Sequence, residues 1–383
     1  MSKFFDYITS GESHGPVLTA IVKNLPAGFR LDLDKVNEQL ARRQEGYGRG
    51  ARMKIETDRV RVLSGLRKGE TTGSPLCLFI ENKDFANWQA KEVEDFTRPR
   101  PGHADLVGGL KYRRGDLRDI LERSSARETA IRVAVGAVAR EMLGELGVFF
   151  TSYVEVLGGI NAAINTEELS LEQINKLRSG SEVGILDVTK EEEIKRAIDR
   201  AAVAGDTLGG LFSVIAQGVP PMLGSFTVPE NKLDARIAFA LMSLQAIKAV
   251  EFGAGHEYAH LPGSQLHDEI YYSAERGFFH ETNRAGGIEG GMSNGERIVV
   301  KAVMKPIPTL MSPLMSVDIK DKKAFEAVKE RSDVTAVPAA AVVGEQLLAI
   351  EIMRAFMERF GGDNKAMLMK HYQEDQKRFE WLD

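Results

Sequence analysis

Much of this chain is written twice, and that repetition limits the folds open to it. Residues 11–26 read GESHGPVLTAIVKNLP and residues 205–220 read GDTLGGLFSVIAQGVP. A glycine, an acid, a hydroxyl, a second glycine, an apolar run and a closing proline fall at identical spacing. Glu122-Arg123-Ser124 with Gly136 is matched by Glu330-Arg331-Ser332 with Gly344, again at one internal spacing. A looser pair sets Lys68 and Ser74-Pro75-Leu76 against Lys305 and Ser312-Pro313-Leu314, with one extra residue. Short strings match by chance, but three pairs in the same order in each half indicate an internal duplication. The expected product is one domain of two related halves, roughly 1–200 and 201–360, with a helical tail over 361–383.

Periodicity adds the elements. Residues 17–25 and 211–219 are apolar runs ending at proline, as strands do. Within 53–80, KIETDRVRVL and SPLCLFI alternate between glycine turns, the pattern of an antiparallel meander. Residues 128–147 and 338–360 have helical pattern and are apolar around most of their circumference, so each must be buried on several sides. Alanines, Gly136 and Gly344 would let these two related helices approach closely. The stretches 170–179 and 190–204 read as two-sided surface helices. Together these elements predict an α/β protein: an internally duplicated, pseudo-two-fold β-α-β sandwich with buried helices between antiparallel sheets.

A formal charge of −5 over 383 residues argues against a general nucleic-acid binder. Cys77 is the only cysteine, which excludes an internal disulfide and fits a reducing compartment. The N-terminus has no apolar signal core and no run approaches a membrane-spanning length. The expectation is a cytoplasmic protein with neither membrane nor nucleic-acid partners. Against that background one segment stands out. Residues 98–132 carry eight arginines, one lysine and one histidine among Gly and Pro turns. Arginine presents a planar fork of donors that matches carboxylate and phosphate. The segment ends in Ser125-Ala126-Arg127-Glu128, which has capping-box form and starts a helix. Free N–H groups at such a start attract anions, so Arg123, Ser124, Ser125 and Arg127 predict a phosphate or carboxylate site. At the duplicate start, Arg331-Ser332-Asp333, an acid takes the corresponding place.

Two histidines sit off any apolar face. His14 lies in a tight turn and has Leu208 as its repeat counterpart, so the fold does not require imidazole there; His103 lies beside the arginines. Both are candidates for proton transfer. His267, His280 and His371 read as solvated surface residues. His256-Glu257-Tyr258-Ala259-His260 spells the zinc motif H-E-x-x-H, which works only on a helix. Gly253 and Gly255 before it and Pro262-Gly263 after it oppose a sustained helix, so no metal is expected. RNA binding through 98–132 is disfavoured by the overall acidity and by the scarcity of aromatic residues there. The glycine-rich 46–50 and 285–295, and the kinked Lys305-Pro306-Ile307-Pro308-Thr309, complete the candidate pocket walls.

These segments resemble the chorismate synthases along almost the whole chain. The likeness is carried by GESHGP at 11–16, RRQEGYGRG at 42–50, RPGHADL at 100–106, ERSSARETAIRVAVG at 122–136, QAIKAVEFG at 245–253, GGIEGGMSNG at 286–295, MKPIPT at 304–309 and RSDVTAVPAA at 331–340. The resemblance implies a carbon–oxygen lyase of the shikimate route to the aromatic amino acids. It would take 5-enolpyruvylshikimate 3-phosphate to chorismate by anti-1,4-elimination of phosphate and a ring proton. The C–H bond is unactivated and no side chain at neutral pH is base enough to break it alone. The family uses reduced FMN for that difficulty, with no net redox change.

Roles follow from the same resemblance. His14 would protonate the leaving phosphate, His103 would stabilise the reduced flavin, and Asp333 would assist removal of the ring proton. Arg43, Arg49, Arg127 and Arg331 would clamp the substrate. Flavin contacts would come from Arg123, Ser124, Ser125, Gln245, Ala246, Gly290, Lys305, Pro306, Ile307, Pro308, Thr309 and Arg331. Family members form homotetramers, and some fungal relatives reduce their own flavin with NADPH. No added nucleotide-binding unit is legible here, so an external flavin reductase is the expected source of reduced FMN.

Overall fold

The computed structural model describes residues 4–50, 57–89, 94–329 and 332–375. Two antiparallel sheets enclose a pair of helices. The first sheet has four strands in the spatial order Asp6–Ser10, Val17–Lys23, Leu76–Glu81, Val60–Ser64. The second has five, in the order Ile247–Phe252, Ile298–Met304, Gly210–Gln217, Phe149–Leu157, Ile160–Asn161. Of the 53–80 stretch, 53–56 lie outside the described residues; Val60–Ser64 and Leu76–Glu81 pair antiparallel, with Val17–Lys23 on the other side of Leu76–Glu81. Alternation sets the faces: Leu76, Leu78 and Ile80 point inward, as do Ile298, Val300 and Ala302 on the other sheet. Behind the five-stranded sheet, Ile174 of the surface helix Leu171–Ser179 packs with Tyr153 and Ile215.

Between the sheets lie the helices Thr129–Gly144 and Val337–Phe360. The first rests on strands Val17–Lys23 and Leu76–Glu81, the second on Gly210–Gln217 and Phe149–Leu157, and the two pack against each other. Almost every side chain from Thr129 to Ala139 is buried, which is why the sequence is apolar all round rather than striped. This is the mixed α/β sandwich with buried helices that the periodicities predict. Among the described residues no helix is long and apolar enough to cross a membrane.

The two matched glycines make different contacts. A Cβ on Gly136 would lie 2.3 Å from Gln346 Cβ and 2.5 Å from its carbonyl oxygen, so the helices touch backbone to backbone there. A Cβ on Gly344 would instead meet Phe212 at 2.8 Å, on the sheet. One charge knot joins the layers. Glu345 is fully buried; it accepts from Arg42 at 2.9 and 3.0 Å and from Ser152 at 2.9 Å, and pairs with Arg140. Arg42 sits in the last turn of the helix Leu33–Gln44, so the knot fixes where that helix releases the chain into the 45–50 loop.

Gly136→Ala should therefore lower stability by about 2–4 kcal/mol, because overpacking against backbone cannot be relieved by a rotamer change. Gly144, on the same helix, has nothing within 4 Å of its would-be Cβ. Gly144→Ala should be neutral or stabilising by up to about 1 kcal/mol. Thermal unfolding midpoints of the two variants would separate these outcomes.

Candidate active site

The 11–16 loop closes on itself and docks on the end of the short helix Arg118–Ser124. Gly11 has φ +113°, and a Cβ there would meet the Val17 carbonyl at 2.4 Å, so the turn requires glycine. Asn82 Nδ2 donates to the Glu12 and Gly15 carbonyls at 3.2 and 2.7 Å, holding the loop from beneath. Ser13 N–H donates to the Glu122 carbonyl at 3.0 Å. His14 donates its backbone N–H to Glu122 Oε2 and its ring Nδ1–H to Glu122 Oε1, both at 2.7 Å. The ring lies on Trp88, centroids 3.9 Å apart. Burial pushes the Glu122 carboxyl up, but hydrogen bonding from His14 outweighs it and holds the group below its ordinary range. The repeat counterpart docks similarly: Leu208 N–H donates to the Val334 carbonyl at 2.8 Å, one residue from Asp333.

Beneath this loop three arginines meet two carboxylates. Arg127 donates through Nη1 to both oxygens of Asp58 at 2.7 Å and through Nε to Asn82 at 2.9 Å. Arg43 lies 3.7 Å from Asp58 and donates to Thr129 Oγ1 at 2.9 Å and the Ala126 carbonyl at 3.0 Å. Arg49 pairs with Asp333 at 3.0 Å, and Gly50 N–H donates to the same carboxylate at 2.6 Å. Burial lowers Arg43 to about 10, with Asp58 opposing the shift; burial also lowers Arg49, with Asp333 opposing. A guanidinium at about 10 still carries its charge at neutral pH. Arg331 lies outside the described residues.

The second histidine belongs to a buried triad. His103 Nδ1 donates to Asp105 Oδ1 at 2.5 Å, and Arg100 donates through Nε to Asp105 Oδ2 at 2.8 Å. Arg100 Nη1 reaches Thr309 Oγ1 at 3.0 Å, and Lys305 Nζ donates to the Gly102 carbonyl. Pro308 lies beside Gly102, Pro306 beside Gly209, and the Ile307 carbonyl accepts from Thr207 at 2.7 Å. The 305–309 segment thus bridges the His103 triad to the loop that docks at Val334. Burial opposes ionisation of Asp105, yet His103 and Arg100 hold it at about 2.

A polar rim links the two histidines. Arg123, which is exposed, donates to the Thr9 carbonyl at 3.1 Å and the Gly11 carbonyl at 3.2 Å. Thr9 Oγ1 donates to Glu128 at 3.2 Å, Gln245 Nε2 donates to the other Glu128 oxygen at 3.3 Å, and Lys305 N–H donates to the Ala246 carbonyl at 3.0 Å. Ser124 Oγ turns back to the Ile120 carbonyl at 2.6 Å, and Ser125 Oγ meets Ser13 Oγ at 3.2 Å. Gly290 sits in the turn of the hairpin Ile288–Glu289/Met292–Ser293, whose flanking contacts run to Gly224 and Lys232.

Two sequence expectations change. Ser125 does cap, accepting from Arg127 N–H, but Glu128 does not complete a capping box because Thr9 and Gln245 compete for its carboxylate. His280 is not solvated: its side chain is 8% exposed and pairs with Glu289 at 3.1 Å. The H-E-x-x-H segment is a short 3₁₀ turn, Gly255–Ala259, with His256 turned to Glu251. Sequence reasoning missed Asp58, Glu122, Arg100 and Asp105 as site groups. Asp105 and Arg100 had local signals, lying two and three residues from His103 in the arginine-rich segment.

The chain is similar to known proteins along most of its length. A family profile described as Chorismate synthase matches residues 5–357. A chorismate synthase of Geobacter sulfurreducens is 53% identical over 383 residues, covering 96% of this chain and 97% of that protein. One from Enterococcus faecalis is 51% identical over 369 residues, covering 94% and 95%. A crystal structure of a chorismate synthase superposes with TM-score 0.80 at 40% identity and 98% coverage of both chains.

The depressed Asp105 carboxyl gives a sign-definite expectation. Its stabilisation is complete above the unfolded value of 3.8 and is lost as pH falls through about 2. The loss amounts to about 2 kcal/mol. Denaturant unfolding followed between these pH values should show this slope in the wild type and a shallower one in Asp105→Asn.

Proposed function

The chain belongs to the chorismate synthase family and is a lyase making chorismate from 5-enolpyruvylshikimate 3-phosphate; we propose that reduced FMN and the residues just described carry out that elimination. The observation that carries the assignment of the site is the gathering of the Arg43, Arg49 and Arg127 guanidiniums at Asp58 and Asp333, beside the His14 loop. A guanidinium presents a planar fork of donors that matches phosphate and carboxylate, and the substrate brings both. Arg331 joins this clamp in the proposal.

His14 donates the proton that the departing phosphate takes up. His103, held by Asp105, would help hold the reduced flavin and balance its negative charge. Asp333 receives the ring proton. Its carboxylate accepts from Arg49 and Gly50, contacts that hold it in place for that transfer. Reduced FMN, when bound, lends electron density to the ring so that the carbon–oxygen bond can break. The fit of the residues to such a heterocycle rests on Gln245, whose Oε1 is buried without a hydrogen-bond partner. Ala246 beside it has φ +69°, an unusual backbone for a non-glycine residue. Lys305, Pro306, Ile307, Pro308 and Thr309 continue that wall, Arg123, Ser124 and Ser125 close its far end, and Gly290 is assigned to it on the family pattern.

The two halves, roughly 1–200 and 201–360, are read as copies that diverged in role, with imidazole kept in one loop and leucine in the other. A homotetramer is proposed; Ile8 and Leu63, 65% and 66% exposed on strands of the four-stranded sheet, supply apolar surface for association. The protein is assigned to the cytoplasm, with an external reductase delivering reduced FMN.

Purified protein, chemically reduced FMN and 5-enolpyruvylshikimate 3-phosphate under anaerobic conditions should release chorismate and phosphate in equal amounts, and neither with oxidised flavin. His14→Ala should lower turnover by ~10²–10⁴-fold with modest change in substrate affinity, the scale of a positioned proton donor. Arg49→Ala should mainly raise KM. Oxidised FMN with NADPH and no added reductase should give no product; turnover there would show an intrinsic reductase.

A further inference from the structure

We propose that Glu122 is the positioning residue of His14: its carboxylate decides which ring nitrogen delivers the proton to the leaving phosphate. The inference rests on the reading of His14 as proton donor. An ionised carboxylate can only accept, so the 2.7 Å contact from Nδ1 fixes a proton on that nitrogen. The other carboxylate oxygen takes the His14 backbone N–H at 2.7 Å. One side chain therefore holds both the ring and the peptide that carries it, while Trp88 covers a ring face. These contacts leave the ring little rotational freedom, and Nε2 becomes the nitrogen that serves the substrate.

The surroundings keep Glu122 ionised. Arg118 lies one helical turn before it and adds a favourable charge, with its guanidinium 5.5 Å from the Trp88 ring centroid. Trp88 is itself held by Asp84 through Nε1 at 3.1 Å. In the transfer, the Nε2–H bond of the imidazolium breaks and an O–H bond forms on the phosphate. The substrate C–O bond leaves its electron pair on that same phosphate oxygen. His14 ends neutral, with its remaining proton on Nδ1 and still donated to Glu122. That neutral form, protonated on Nδ1, is the less common tautomer of a histidine side chain in water, so it is a specific signature.

The test uses the whole enzyme with ¹⁵N-labelled histidine, the His14 signal being identified by its loss in His14→Ala. Long-range ¹H–¹⁵N spectra of the neutral ring should show Nδ1–H in the wild type, a measurement that needs no variant at position 122. Glu122→Gln should lower kcat by ~10–100-fold, the range for groups that orient a working ligand or base, with KM within about threefold. Glu122→Asp should recover part of that loss. The double variant with His14→Ala should be no slower than His14→Ala alone. An Nε2–H tautomer in the wild type, or a Glu122→Gln effect of undiminished size in the His14→Ala background, would overturn the proposal. A fully active His14→Ala would instead remove the donor reading itself, and this inference with it.

Discussion

The close contact of Gly136 with Gln346 is what the remaining architecture depends on. It lets two helices that are apolar on nearly every side share one interior, each resting on its own sheet. The segments that enter those helices then become neighbours. Ala126–Glu128 precedes Thr129, and 332–336 precedes Val337. Arg127 and Asp333 occupy these entries, and the field of each is felt at Arg43. A site assembled from helix entries inherits the rigidity of the core while its polar groups stay near the surface.

Charge placement completes the picture. The structure spends two buried carboxylates, Asp58 and Asp105, on fixing arginines. Removing either would strand a buried cation, which is more disruptive than never having had the pair. Glu345 does the same work deeper in, between Arg42 and Arg140. Because Arg42 and Arg43 are adjacent, the chain turns one guanidinium toward the core and the next toward the site. The first anchors the helix and the second is thereby aimed.

Residue chemistry in short segments was legible from the sequence: the turn around His14, the arginines before Thr129, the buried helices and the H-E-x-x-H that lacks a helix. What stayed hidden was pairing across distance. Glu122 reads as part of a helix end, and nothing local says that it will meet His14, 108 residues earlier. Asp58 sits in a plain stretch just before the strand Val60–Ser64, and only the folded chain brings Arg127 to it. Glu128 shows the converse error. Its spacing from Ser125 fits a cap, but Thr9 and Gln245 offer it partners that spacing cannot reveal. Local rules fail where tertiary contacts compete for the same atom.

The long helix Val337–Phe360 follows the strands of both sheets in the sequence yet forms the centre of the molecule. Until it emerges during synthesis, the five-stranded sheet has no inner cover and the Arg42–Arg140 pair has no Glu345. Every earlier element must therefore wait with apolar faces exposed, and the decisive contacts join residues hundreds of positions apart. Such a topology closes late and slowly. A nascent chain halted before residue 337 would be a natural client for chaperones, whatever the strength of its local structure.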